Sequence, residues 1–142
     1  MTRSLAAALL LGVLTVAARA EQMQRIGGYE AHYSVVATTF LRPGIAADYG
    51  LVRARDRALV NVAIIDPSSG PVTAQVSGQV KDLLGLVRPL EFREVREGTA
   101  VYYLATLRHD DRETLRFSVA VQTPDGARHE LTFQQKMYWE NR

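Results

Sequence analysis

The chain has 142 residues, no cysteine, and 17 Lys and Arg against 15 Asp and Glu. That length suits one domain rather than two. The missing thiols exclude disulfides, thiolate metal sites, Cys nucleophiles and lipid attachment through Cys.

Arg3 precedes an uncharged stretch rich in Leu and Ala, from Ser4 to Ala18, and Ala18-Arg19-Ala20 ends it. Small residues at Ala18 and Ala20 suit a signal peptidase, so residues 1–20 read as a secretory signal peptide cleaved after Ala20. The stretch is shorter than the ~18 residues that span a bilayer. Cleavage leaves a single domain over residues 21–142, with no transmembrane segment expected in the mature chain. Loss of Arg3 and Arg19 brings the remainder to 15 basic and 15 acidic residues. Nucleic acid is excluded as a partner, because its recognition needs a basic excess on one face.

Glu21 to Gly28 reads as a polar lead-in, and Tyr29 to Ala37 alternates as a half-buried strand. Thr38 to Asp56 breaks the rhythm. Pro43-Gly44 marks a turn, and Ile45 to Tyr49 fits a short helix stopped by Gly50. Loops beyond ~12–15 residues in compact domains tend to carry function. Phe40, Tyr49, Arg53 and Arg55, all in this excursion, are the candidate partner-binding residues. Arg forks suit carboxylate or phosphate, and the aromatics offer a contact surface.

Arg57 to Ile65 is the next strand, with Ala58, Val60, Val62 and Ile64 inward. After the turn Asp66 to Pro71, Val72 to Val80 alternates cleanly, as an antiparallel strand with one wet face does. Gly78 reads as a bulge. Lys81 to Pro89 is a connection, and Leu90 to Leu107 is a hairpin turning at Arg96-Glu97-Gly98-Thr99. Its second arm, from Ala100, is bulky on both faces and suits a central strand covered on both sides. His109 to Glu113 reads as a solvated charged turn. Thr114 to Val121 and Glu130 to Trp139 alternate again, separated by the turn Thr123-Pro124-Asp125-Gly126. About seven strands with turns between them predict an all-β fold, an antiparallel immunoglobulin-like β-sandwich. A small closed barrel is the alternative.

The blocks YEAHYSVVATTFLRPGIAADYGL, RALVNVAI, LEFREVREGTAVYYLATLR, ETLRF and QKMYWE together resemble the bacterial family known as domain of unknown function 4426. The resemblance runs from Glu21 to Glu140, with its separated blocks in order. It implies an exported protein of Gram-negative bacteria, located in the periplasm. It supplies no activity, cofactor or catalytic residue to carry over.

The residues themselves assemble no catalytic set. Ser68, Ser69 and Ser77 lack a nucleophile-elbow context. His32, His109 and His129 have no second histidine at ligand spacing, and Met23 and Met137 are too few for a Met-rich copper site. Glu91, Glu94 and Glu97 alternate with Arg93 and Arg96 as surface ion pairs would. No cofactor and no metal is expected, and the chain reads as no enzyme. The function expected is a non-catalytic binding or interaction module for an envelope protein or a small ligand. Two alternatives are an enzyme with an unrecognised site and an assembly factor that pairs through a free sheet edge. No feature of the sequence sets an oligomeric state.

Overall fold

Alternating strands bury one face each, and here two sets of them close over a shared core. The computed structural model describes residues 22–139; the expected signal peptide and its expected cleavage after Ala20 lie outside those residues. Ten strands form two antiparallel sheets. They are β1 (Gln22–Ile26), β2 (Tyr29–Ala37), β3 (Arg57–Asp66), β4 (Gly70–Val72) and β5 (Gln75–Lys81), followed by β6 (Val87–Leu90), β7 (Arg93–Glu97), β8 (Ala100–Arg108), β9 (Thr114–Gln122) and β10 (Arg128–Lys136). The first sheet runs β1-β2-β3-β8-β7, with β4 pairing the far end of β3. The second runs β10-β9-β5-β6. The expected sandwich is therefore present. The seven predicted strands correspond to β2, β3, β5, β7, β8, β9 and β10, and three short strands join them.

Tyr33, Val60, Val62, Tyr103 and Ala105 of the first sheet meet Leu115, Phe117, Val119, Val121 and Leu131 of the second. Phe117 and Phe133 stack with ring centres 4.7 Å apart, and Tyr33 lies 4.5 Å beyond Phe133. Each fully buried Val, Leu or Phe contributes about 1.5–3 kcal/mol to such a core.

Four local expectations change. The lead-in is an edge strand, β1, because Gln22 to Ile26 pair with Tyr29 to Tyr33 across the Gly27-Gly28 turn. The first arm of the predicted hairpin is two strands in different sheets. Leu90 ends β6, buried in the core, and the chain crosses at Glu91-Phe92 to start β7. Gly78 is not a bulge, since its register with β6 and β9 is regular. A Cβ there would stand 2.9 Å from the Ser118 carbonyl oxygen and 3.1 Å from the Phe92 ring. Glycine is required by that close approach, made where Phe92 crosses over.

The fourth concerns His109, which is buried rather than solvated, at 3% exposure. The segment after β8 is an arch between sheets, not a tight turn within one. The His109 backbone N–H donates to the Asp56 carbonyl at 3.0 Å, and the His109 carbonyl accepts from Trp139 Nε1 at 2.8 Å. The C-terminal end of the described chain is thus tied to the arch, where Trp139 also donates its amide to Asp111.

The second arm of the hairpin, β8, behaves as read. It lies between β3 and β7, and Val101 to Ala105 are all buried. What covers its outer face is the irregular excursion, which positions the site described next.

Candidate functional site

On the outer face of the first sheet, pairing aligns side chains in rows. Val36 lies opposite Leu59; Ser34 opposite Asn61, which is opposite Leu104; His32 opposite Ala63. The excursion covers the first of these rows. After a single 3-10 turn, Thr38–Phe40, comes helix α1 (Pro43–Asp48), opened by Pro43 at its first turn and ended by Gly50 at φ +65°. Leu41 and Ala46 drop onto Val36, Leu59, Tyr102 and Leu104 to form a second, smaller core.

Polar groups of the excursion are used to hold this cover in place. Thr38, fully buried, accepts from the Ala54 amide at 3.0 Å and donates to the Ala54 carbonyl at 3.1 Å. Arg53 Nη2 donates to the Thr39 carbonyl at 3.0 Å. The Tyr49 hydroxyl donates to Glu97 Oε2 at 2.6 Å, and Arg93 donates to the Tyr49 carbonyl. Burial, and then the Glu97 carboxylate, push the Tyr49 hydroxyl up to about 12. The Arg55 guanidinium sits 4.7 Å above the Trp139 ring centre. Of the four predicted partner-binding residues, three therefore have intramolecular contacts of this kind, and Phe40 is 37% exposed. The charges of β7 also differ from the expected surface pairs. Arg96 meets Glu94 at 3.0 Å, but Arg93 and Glu97 tie down the excursion. Asp56 pairs with Arg108 at 3.6 Å rather than with the neighbouring arginines.

Beyond the excursion the same face is open. There a hollow of about 340 Å³ is lined by His32, Ser34, Asn61, Ala63, Ile65 and Tyr102, closed at one side by Pro71 and Ala100. Its walls are mainly apolar carbon. Asn61 is 6% exposed, and its side-chain oxygen has no hydrogen-bond partner. A buried acceptor without a donor costs about 1–3 kcal/mol. At the rim, His32 Nε2 lies 3.1 Å from Glu30 Oε1. The hollow can hold an apolar body, and the Asn61 oxygen is an acceptor for a donor on that body.

Asn61, Ser34 and Ala63 were not among the residues singled out from the sequence. A signal existed: in LVNVAII the outward positions Leu59, Ala63 and Ile65 are apolar, so Asn61 is the one polar side chain on a face that is otherwise dry.

The histidines do not converge. His32 is on β2, His109 precedes β9, and His129 pairs with Val121 near the opposite end of β9. His129 Nε2 is 3.3 Å from Thr123 Oγ1, but that hydroxyl donates to Asp125 Oδ1 at 2.5 Å. The bond from Thr123, then that from the Ala127 amide, lowers the Asp125 pKa. A hydroxyl whose proton is committed to a carboxylate is a turn cap, not an activated nucleophile. Among the described residues, no three His, Asp or Glu gather closely enough to share a metal ion. Likewise no helix of these residues is long and apolar enough to cross a membrane.

Comparison with known proteins places this geometry. A crystal structure of a DUF4426 family protein from Pseudomonas aeruginosa PAO1 is 37% identical, with a TM-score of 0.78, over 87% of this chain and 98% of that one. FetP of uropathogenic E. coli strain F11, recombinantly expressed in the periplasm of E. coli BL21(DE3), shares the fold at 11% identity and a TM-score of 0.62, over 86% of this chain and 96% of that one. A copper-bound variant of FetP does so at 10% and 0.60, over 87% and 93%. No curated protein matches the chain. The family described as "Domain of unknown function (DUF4426)" matches residues 23–140, and the chain belongs to that family.

Proposed function

We propose that the protein is an exported, non-catalytic binding module of the periplasm, with its leader removed after Ala20. Its ligand is a small, largely apolar molecule carrying one hydrogen-bond donor, seated on the outer face of the first sheet. The observation that carries this reading is the Asn61 side-chain oxygen, buried and unpartnered in an apolar hollow of about 340 Å³. Buried acceptors are ordinarily satisfied, and a donor on a ligand would satisfy this one. The apolar walls supply affinity and the acceptor supplies orientation. Export is supported by the leader pattern of residues 1–20 and by the periplasmic expression of the FetP neighbour.

Ala63→Trp tests the site, because the indole would fill the hollow from its floor. Binding of an apolar reporter dye to the exported protein should fall at least about tenfold, with the thermal midpoint within a few degrees of the parent. Unchanged dye binding would sink the proposal.

A second reading keeps Phe40, Tyr49, Arg53 and Arg55 as a surface for an envelope protein. It is favoured by the exposure of Phe40 and, beside it in the excursion, of Val52 at 56%. Phe40→Ser with Val52→Ser should remove partner capture while leaving dye binding in the hollow intact.

A further inference from the structure

The second sheet ends in a feature that the hollow does not explain. The β5–β6 hairpin turns through Asp82 to Leu86, and its apex is apolar: Leu83 is 79% exposed, Leu84 95%, Leu86 62% and Val87 46%. Single exposed leucines are ordinary, but a contiguous run at one apex marks an interaction surface. The apex is also preformed. Asp82 Oδ1 accepts from the Leu84 and Leu86 amides at 2.9 Å each, and the Asp82 amide donates to the Leu86 carbonyl at 3.0 Å. The leucines are thus held outward with little left to order on binding.

Two cations stand beside this apex. Pairing sets Lys81 opposite Val87 on one side and opposite Arg116 on the other. Lys81, Arg116 and Gln134 line one shallow hollow of about 360 Å³ together with Leu83 and Leu84. Of the acidic residues in the two loops at this end, three are engaged within the chain. Asp82 caps the hairpin, Glu113 meets Arg88 at 3.5 Å, and Asp111 accepts from the Trp139 amide, which leaves Asp110. A narrow convex apolar tip would need a deep socket in a protein partner, whereas a bilayer interface deforms around it. Cations at the depth of the first leucine would meet lipid phosphates.

We infer that the Leu83–Val87 apex is a membrane-surface anchor: its leucines enter the interface of an anionic phospholipid bilayer, and Lys81 and Arg116 contact the headgroup phosphates. The protein lies on the membrane by this tip and does not span it. The hollow on the other sheet takes no part, so the two proposals stand or fall separately.

The test is flotation of the exported protein with vesicles of phosphatidylethanolamine and phosphatidylglycerol, and with neutral phosphatidylcholine vesicles. Leu83→Ser with Leu84→Ser should weaken binding to the anionic vesicles by about tenfold or more. Lys81→Gln with Arg116→Gln should weaken it several-fold on anionic vesicles and leave the neutral ones unchanged. All four side chains are exposed, so thermal unfolding should confirm an intact fold, and Asn61→Leu should bind vesicles like the parent. Absence of binding by the parent, or equal binding by the serine variant, overturns the inference. So does light scattering that shows a dimer lost in the serine variant without vesicle binding by the parent, since the apex would then serve self-association.

Discussion

The two halves of the outer face of the first sheet are built from the same strands and solve the same problem differently. Under the excursion, Val36, Leu59 and Leu104 are covered by Leu41 and Ala46, and Thr38, Arg53 and Tyr49 find partners inside the chain. Further along the same strands, Ser34, Asn61 and Ala63 line an open hollow, and the Asn61 oxygen has no donor. Thr38, Arg53 and Tyr49 hold the excursion down as a cover, although Thr39 Oγ1 within it is buried without a hydrogen-bond partner. In the reading proposed above, the unsatisfied Asn61 oxygen beside the hollow is the group a ligand would engage. The proposed ligand site therefore lies on the plain strand β3, and the irregular excursion carries the second reading.

The largest effect should come from the covered half. Leu104→Ala empties part of the second core and should cost about 2–4 kcal/mol, measured by denaturant unfolding. Leu104 pairs with Asn61 but does not line the hollow, so dye binding there should survive; loss of dye binding at unchanged stability would reverse the assignment of the two halves.

A smaller effect is expected at the strap. Tyr49→Phe removes the hydroxyl bond to Glu97 and should cost about 1 kcal/mol, given that the site is only partly buried. The hydroxyl pKa is raised from 10.0 to about 12 in the folded protein, so folding favours the neutral phenol. Its contribution is full below pH 10 and is lost as pH rises toward 12. Stability measured between those values should fall in the parent more steeply than in Tyr49→Phe. Equal slopes would show that the strap carries no linkage.

On the acid side the sign is reversed. The Ser68 amide and hydroxyl lower the pKa of Asp66, and the Tyr103 hydroxyl, then Arg96, lower that of Glu94. Their contribution is present above the ordinary values of 3.8 and 4.5 and is lost as pH falls below them. Both groups hold turns or strand edges at the surface, so the loss should be gradual. A sharp collapse above pH 5 would point to some other group.

The smallest change in stability, with the largest change in binding, is expected at Asn61. Asn61→Leu replaces an unsatisfied polar group by an apolar one of similar size. Stability should be unchanged or raised by about 1 kcal/mol. Ligand retention should disappear. A clear loss of stability would show that the Asn61 amide is already satisfied in the protein.

Strand alternation made the sandwich legible before any coordinates. Period-2 patterning is local, and one-sided burial in an antiparallel sheet writes it into each strand. Thus β2, β3, β5, β8, β9 and β10 were readable, as was the two-faced burial of β8. The short strands β1, β4 and β6 were not, because three to five residues carry too little pattern and their pairing is set by neighbours distant in sequence. The same holds for the crossing at Glu91-Phe92, where a continuous alternation conceals a change of sheet, and for His109, whose charged neighbours mask its burial.

Composition and local period by themselves determined the all-β class, the long strands of the core, most of the turns and the leader pattern. Which outer face is covered was decided only by tertiary structure. The excursion docks on Leu59 and Leu104 and leaves Asn61 and Ala63 lining the open hollow. The physical reason is that burial and hydrogen-bond satisfaction depend on contacts between residues far apart in the chain. Whether Asn61 finds a donor cannot be encoded in the residues beside it.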